Sequence, residues 1–230
     1  MIKEVRAPNK IHVYYYRQNS AASALTEADI DIEALIQARR VHLTGITLAL
    51  GEGPRLAVHK ILQVSKEYNI PASFDLNLRQ KLWSIEEAKQ EYQKIYPYIE
   101  TLFMSEEEAI LCSGEPTIDK ALDYYKQCGL DESSTVVIKQ GDKGVLGIRR
   151  EQQVYQSAVK GIEVIDTVGA GDGFNAGYLF GELEGLCFQE CLRLGNWVGA
   201  KVVEHQGDYQ GLPTLAEYQA YKNREITIER

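Results

Sequence analysis

The chain has 230 residues, 44% of them hydrophobic and 25% charged, with a formal net charge of −8. That length carries one sizeable core, and the acidic balance argues against non-specific binding to nucleic acid or to an acidic membrane surface. No apolar run approaches the roughly 18 residues that a membrane-spanning helix needs.

Taken in chain order, Ile11, Val13 and Tyr15 alternate with His12, Tyr14 and Tyr16, which is a strand pattern ended by Arg17. A turn at Gln18-Asn19-Ser20 leads to a polar helix start at Thr26–Asp29, and Ile32, Leu35 and Ile36 give the next segment its apolar side. Val41–Ile46 reads as a short buried strand, and Pro54–Tyr68 as a helix with Leu56, Ile61, Leu62 and Val64 facing inward. Pro71–Asn77 is the next strand, after which Ser84 caps a helix with Glu86 and Glu87 at its positive end. Thr101–Met104 is a strand, Ser105 opens a helix, and Thr117–Cys128 is another. Thr135–Lys139 is β-branched and strand-like, and Val145–Arg149 comes after it as a hairpin partner. A strand is also expected over Val159–Ile165, ahead of a buried helix bearing Phe174, Ala176, Tyr178 and Leu179. Alternating strands and helices of this kind predict a largely parallel α/β sheet with helices on both faces.

The cysteines are Cys112, Cys128, Cys187 and Cys191, with no C-x-x-C pair, and they read as reduced thiols of a cytoplasmic protein. Cys187 and Cys191 share a helical stripe with Leu194, Val198 and Val202, which favours core packing over metal binding.

The most informative stretch is Asp166-Thr167-Val168-Gly169-Ala170-Gly171-Asp172-Gly173-Phe174-Asn175-Ala176-Gly177. Small residues at the mouth of a helix leave backbone N–H groups accessible, where unpaired donors and the helix dipole favour an anion. Asp172 just inside that mouth would be repelled by a phosphate it merely bound. It is suited to taking the proton from a hydroxyl that attacks phosphorus. A glycine-rich turn capped by an aspartate is the plain structural alternative.

At this string the chain resembles the ribokinase-like (PfkB) carbohydrate kinases. The resemblance implies a three-layer α/β/α fold with a mainly parallel central sheet and one domain over residues 1–230. It also implies that residues 1–17 are a remnant of the family's β lid. The family's early glycine-rich sugar-binding segment has no counterpart here, so its N-terminal strands and part of the lid are expected to be missing. The activity implied is ATP-dependent phosphoryl transfer to a sugar hydroxyl, with Mg²⁺ as cofactor and a monovalent cation as a further candidate. Asp172 would be the base, and Gly169, Ala170 and Gly171 the anion hole. Lys139, Gly141 and Gly144, which have K-x-G-x-x-G spacing, would lie along ATP, and Asn77 beside it. Ser105-Glu106-Glu107-Glu108 resembles the N-x-x-E motif with serine replacing asparagine, which makes Glu108 the Mg²⁺-organising acid and Ser105 an ATP-site residue. A helix start rich in glutamate reads the same way without any metal. Asn196 would face adenine.

Tyr14-Tyr15-Tyr16-Arg17 and Asn77-Leu78-Arg79 look like the 2-keto-3-deoxygluconate kinases within the family. An arginine clamps a carboxylate through two parallel hydrogen bonds, and tyrosines offer hydroxyls and flat faces to a sugar. Tyr15, Tyr16, Arg17, Arg79, Asp172 and Asp208 are therefore the expected substrate contacts, although exposed strand-end arginines are also common. The alternatives are a kinase for another sugar such as fructose, or a non-catalytic nucleotide-binding module. The expected partners are a sugar acid and ATP, with no nucleic acid and no membrane, and the tyrosine strand is a candidate homodimer surface.

Overall fold

The computed structural model describes residues 2–7, 10–14, 16–17 and 19–228. The chain divides into two compact units, one of residues up to Glu4 with His12–Tyr155, the other of Val5–Ile11 with the residues from Gln156 onward. β1 (Ile2–Ala7) and β2 (Lys10–Tyr14) pair as a two-stranded sheet. Tyr14 Oη donates to Glu4 Oε2 at 3.1 Å. Tyr15 lies outside the described residues.

In the first unit, a one-turn α1 (Ile32–Leu35) is followed by β3 (Val41–Thr44), α2 (Gly45–Leu48) and α3 (Glu52–Glu67). Then come β4 (Ala72–Asp75), α4 (Ile85–Ile95), β5 (Thr101–Ser105), α5 (Glu106–Ser113) and α6 (Ile118–Gln127). β6 (Thr135–Lys139), β7 (Gly144–Arg149) and β8 (Gln152–Ser157) complete a six-stranded sheet in the order β3-β4-β5-β6-β7-β8. The pairs from β3 to β6 are parallel, and β6–β7 is antiparallel. β4 is buried at all four positions, as a strand inside a parallel sheet must be.

One face of that sheet carries the core. Phe74, Leu102, Met104, Val136 and Ile138 pack with Val58 and Leu62 of α3, Tyr92 and Ile95 of α4, Cys112 of α5 and Tyr125 of α6. Helix starts follow local chemistry. Ser84 and Ser105 each accept the amide three residues on, while Glu87 and Glu108 accept the cap residue's own amide. Gly114, at φ 77°, ends α5 in the left-handed conformation that a glycine adopts without a Cβ penalty.

The second unit contains α7 (Ala170–Leu183), α8 (Phe188–Val203) and α9 (Leu215–Ile228). α7 and α8 meet along a glycine seam. A Cβ on Gly173 would lie 2.7 Å from Val202 Cγ2, and one on Gly177 would lie 2.7 Å from Val198 Cγ2 and 2.9 Å from the Leu194 carbonyl oxygen. On the α8 side, a Cβ on Gly195 would meet the Phe174 ring at 2.8 Å.

Several sequence expectations change. The strand expected to run to Ile46 stops at Thr44, because Gly45 starts α2; a Cβ there would sit 2.0 Å from the Leu76 carbonyl oxygen. The helix expected from Pro54 begins at Glu52, so the proline falls in its first turn, where the missing N–H costs nothing. Leu56 is 45% exposed rather than inward, and Ile36 is exposed as well. No strand forms over Val159–Ile165, whose Val159, Val164 and Ile165 are exposed; the strand is β8, which comes after a tight turn with Arg150 at φ 55°. Ala176 is exposed on α7, and Cys187 is the exposed N-cap of α8 while Cys191 is buried. Among the described residues no helix is long and apolar enough to cross a membrane.

Candidate active site

In the first unit, the carboxyl ends of β4, β5 and β6 bring Asp75, Ser105 and Lys139 to one edge of the sheet. Register explains the grouping. Asp75 pairs with Phe103, Phe103 pairs with Val137, and Lys139 lies two residues further on the same face. Lys139 Nζ donates to Asp75 Oδ2 at 2.7 Å.

The chain leaving β4 is held tightly. The Leu76 amide donates to the Phe103 carbonyl at 3.0 Å, and the Leu76 carbonyl accepts from Tyr92 Oη at 2.7 Å. Asn77 takes a positive φ of 39°. The Leu78 amide donates to Glu108 Oε1 at 2.7 Å, and Arg79 is exposed beyond it. Glu108 Oε2 meanwhile accepts the Ser105 amide at 2.8 Å, and Ser105 Oγ accepts the Glu108 amide at 3.1 Å.

The loop after β6 is a compact turn. The Gln140 amide donates to the Gly144 carbonyl at 2.8 Å, with Gly141 at φ 61° and Gly144 at φ 128°. A side chain at Gly141 would meet nothing within 4 Å, so this backbone is open to a ligand. Glu106 ties the turn down by accepting from Gln140 Nε2 at 3.1 Å, and Lys143 Nζ lies 3.6 Å from its other oxygen.

In the second unit, Gly169 is the N-cap of α7 at φ 87°. Gly169 has no side chain with which to cap this helix, and the Ala170 amide donates to the Thr167 carbonyl at 3.3 Å. Asp172 is exposed in the first turn. The loop is anchored from beneath by Asp166, 2% exposed. Asp166 Oδ1 accepts the Val168 amide at 3.0 Å, and its Oδ2 accepts the Gly207 amide at 3.2 Å. Asp208, half-buried, is thereby set against Gly169, where a Cβ would lie 2.2 Å from the Asp208 carbonyl oxygen.

The structure thus groups Asn77, Arg79, Ser105, Glu108, Lys139, Gly141 and Gly144 at one sheet edge, and Gly169, Ala170, Gly171, Asp172 and Asp208 at one helix mouth. Asn196 sits on α8 and donates from Nδ2 to the Gln156 and Ser157 carbonyls at 3.1 and 3.0 Å. Tyr16 is 73% exposed and Arg17 half-buried. Sequence reasoning missed Asp75 and Asp166. An aspartate closing an apolar strand, and one opening the glycine string, were the available signals.

A divalent cation fits this edge only in part-hydrated form. Among the described residues no three acidic, histidine or cysteine side chains converge on a common point. Glu108 spends one lone pair of each oxygen on an amide and keeps the others, which suits a cation reached through water and shared with phosphates.

Comparison with known proteins supplies the context. Residues 2–215 match the family described as pfkB family carbohydrate kinase. Over 219 residues the chain is 32% identical to the 2-dehydro-3-deoxygluconokinase of Bacillus subtilis (strain 168), covering 95% of this chain and 67% of that protein. A solved 2-dehydro-3-deoxygluconokinase from Thermotoga maritima superposes with a TM-score of 0.81 at 26% identity, over 91% of this chain and 68% of that one. A fructokinase from Vibrio cholerae O395, solved with fructose, ADP and calcium ion bound, gives 0.75 at 26% identity, over 89% and 66%. The first four curated relatives are spanned to between 55% and 67% of their length.

Proposed function

The chain belongs to the pfkB family of carbohydrate kinases, and from that premise we propose that it serves ATP-dependent phosphorylation of a sugar acid, 2-dehydro-3-deoxygluconate (2-keto-3-deoxygluconate), at its 6-hydroxyl. The observation that carries the reading is the helix mouth at Gly169–Asp172, which has a glycine at its N-cap and bears a carboxylate in its first turn.

In this reading the sugar hydroxyl oxygen attacks the γ-phosphorus, the bond from that phosphorus to the bridging oxygen breaks, and ADP leaves. Asp172 accepts the hydroxyl proton. The amides of Gly169, Ala170 and Gly171 stabilise charge on the phosphoryl oxygens, a preorganised arrangement that needs no rearrangement during the step. The Gly141–Gly144 turn lies along ATP, with Asn77, Ser105, Lys139 and Asn196 as further nucleotide-site residues. Mg²⁺, when bound, neutralises phosphate charge, and Glu108 would hold it through water. Tyr15, Tyr16, Arg17, Arg79 and Asp208 receive the sugar acid, with the arginines pairing its carboxylate. The free cysteines suit the reducing cytoplasm.

The test is steady-state turnover with ATP, Mg²⁺ and the sugar acid. Asp172→Asn is expected to lower kcat by about 10² or more while ATP binding, followed by calorimetry, stays unchanged. Turnover at the wild-type rate in that variant removes Asp172 from the chemistry.

A second reading, phosphorylation of a neutral sugar such as fructose, is favoured by the fructokinase likeness. Arg79→Ala separates the two, since it should raise KM for a sugar acid strongly and for fructose little. ATP binding without turnover of either sugar would mark a nucleotide-binding module.

A further inference from the structure

Among the described residues, Glu108 is the carboxylate that holds the backbone of the loop carrying Asn77 and Arg79. Several of that loop's backbone groups are met by fixed partners. Leu76 is bonded on both sides, to Phe103 and to Tyr92, and the Arg79 carbonyl accepts the Leu82 amide at 2.8 Å. The Leu78 amide, on a residue only 8% exposed, goes to Glu108 Oε1 at 2.7 Å. A carboxylate acceptor makes this bond roughly twice as strong as a neutral one. Glu108 is itself locked in place by the reciprocal cap with Ser105.

We propose that Glu108 is a positioning residue for Arg79. Through the Leu78 amide it fastens the arginine-bearing loop to the first turn of α5, and so sets how well the site receives the carboxylate of a sugar acid. The functional half of this inference rests on the sugar-acid reading, while the latch itself does not. Asn77, next to Leu78, has a positive φ of 39°, a conformation uncommon for non-glycine residues that asparagine adopts more readily than most. A side chain that served only a cation would have no need to reach Leu78.

The experiment uses the full chain and the variants Glu108→Asp and Glu108→Gln. Aspartate keeps the charge and the cation chemistry but is one methylene short of Leu78, whereas glutamine keeps the reach with one oxygen. Amide hydrogen exchange, read residue by residue by NMR without ligand, is expected to quicken at Leu78 at least tenfold in Glu108→Asp and by less in Glu108→Gln. Exchange at Phe74 of β4 should stay unchanged in both and so reports an intact fold. Leu78 exchange at the wild-type rate in Glu108→Asp overturns the proposal. In turnover assays, Glu108→Asp should raise KM for the sugar acid at least fivefold at saturating Mg²⁺, with a smaller change in kcat. A shift confined to the Mg²⁺ requirement would assign Glu108 to the cation alone and also overturn it. The exchange measurement needs no substrate, so it decides the latch even where the sugar-acid reading fails.

Discussion

Lys139 reaches across β5 to Asp75, placing its Nζ 2.7 Å from Oδ2 of a carboxylate side chain that is only 3% exposed. A buried charge left without its partner is costly, whereas a matched pair roughly balances its own desolvation. The strand ends of β4 and β6 are therefore linked by a contact more valuable for geometry than for net stability.

That contact sets the first prediction. Lys139→Met should destabilise the fold by about 3 kcal/mol, because it leaves Asp75 buried without the ammonium. Asp75→Asn combined with Lys139→Met should cost clearly less than the two single changes added together. Urea unfolding of the four proteins measures the coupling, and strict additivity would show that the pair is not energetically linked.

Gly169→Ala should be among the most damaging single-methyl additions in the second unit. The residue has φ 87°, and the new Cβ would lie 2.2 Å from a backbone oxygen that cannot swing aside. A loss of about 2 kcal/mol or more in thermal unfolding is expected. A variant with an unchanged melting temperature would mean that the Asp208 segment yields easily.

The two leucines of α3 should behave oppositely, because a spacing of six residues puts them on different sides of the helix. Leu62→Ala, at a site 1% exposed, should cost about 2–5 kcal/mol, whereas Leu56→Ser, at 45% exposure, should stay within about 0.5 kcal/mol. Chemical denaturation of both decides this.

Thiol reactivity should separate the cysteines. Burial, assisted by the nearby Glu108 charge, pushes the Cys112 thiol from an ordinary 9.0 up to about 12, so at pH 8 it is protonated as well as inaccessible. Cys187 should react with a thiol reagent first, while Cys112 and Cys191 wait for unfolding. The same shift has a stability sign. The unfolded chain releases this proton near pH 9 and the folded chain only near pH 12, so the contribution is present below about 9 and lost as pH rises between the two values. Cys112→Ala should flatten that part of the alkaline unfolding curve, although the alanine also sacrifices packing.

Much of the first unit was legible because its signals are local. Ser84, Ser105 and Thr117 mark helix starts by their own hydrogen bonds, and β-branched runs such as Thr135–Lys139 mark strands. β8 was not legible, since Tyr155 is exposed while Gln156 is half-buried, which blurs the alternation, and its start depends on a turn at Arg150. The glycine string announced its own helix mouth, but Asp166 works through Gly207, 41 residues away. Likewise, Glu108 carried a readable helix-start signal, while its bond to Leu78 spans 30 residues and exists only once β4 and β5 are side by side.

The glycine seam of α7 has a consequence for the order in which the second unit is assembled. α7 contains four glycines in 14 residues, each about 1 kcal/mol poorer than alanine as a helix former. A peptide of residues 170–183 should therefore be coil in water, as its circular dichroism would report. The helix becomes stable only when α8 docks against the seam. The amides at its leading end are thus expected to be in place only where those two helices have met.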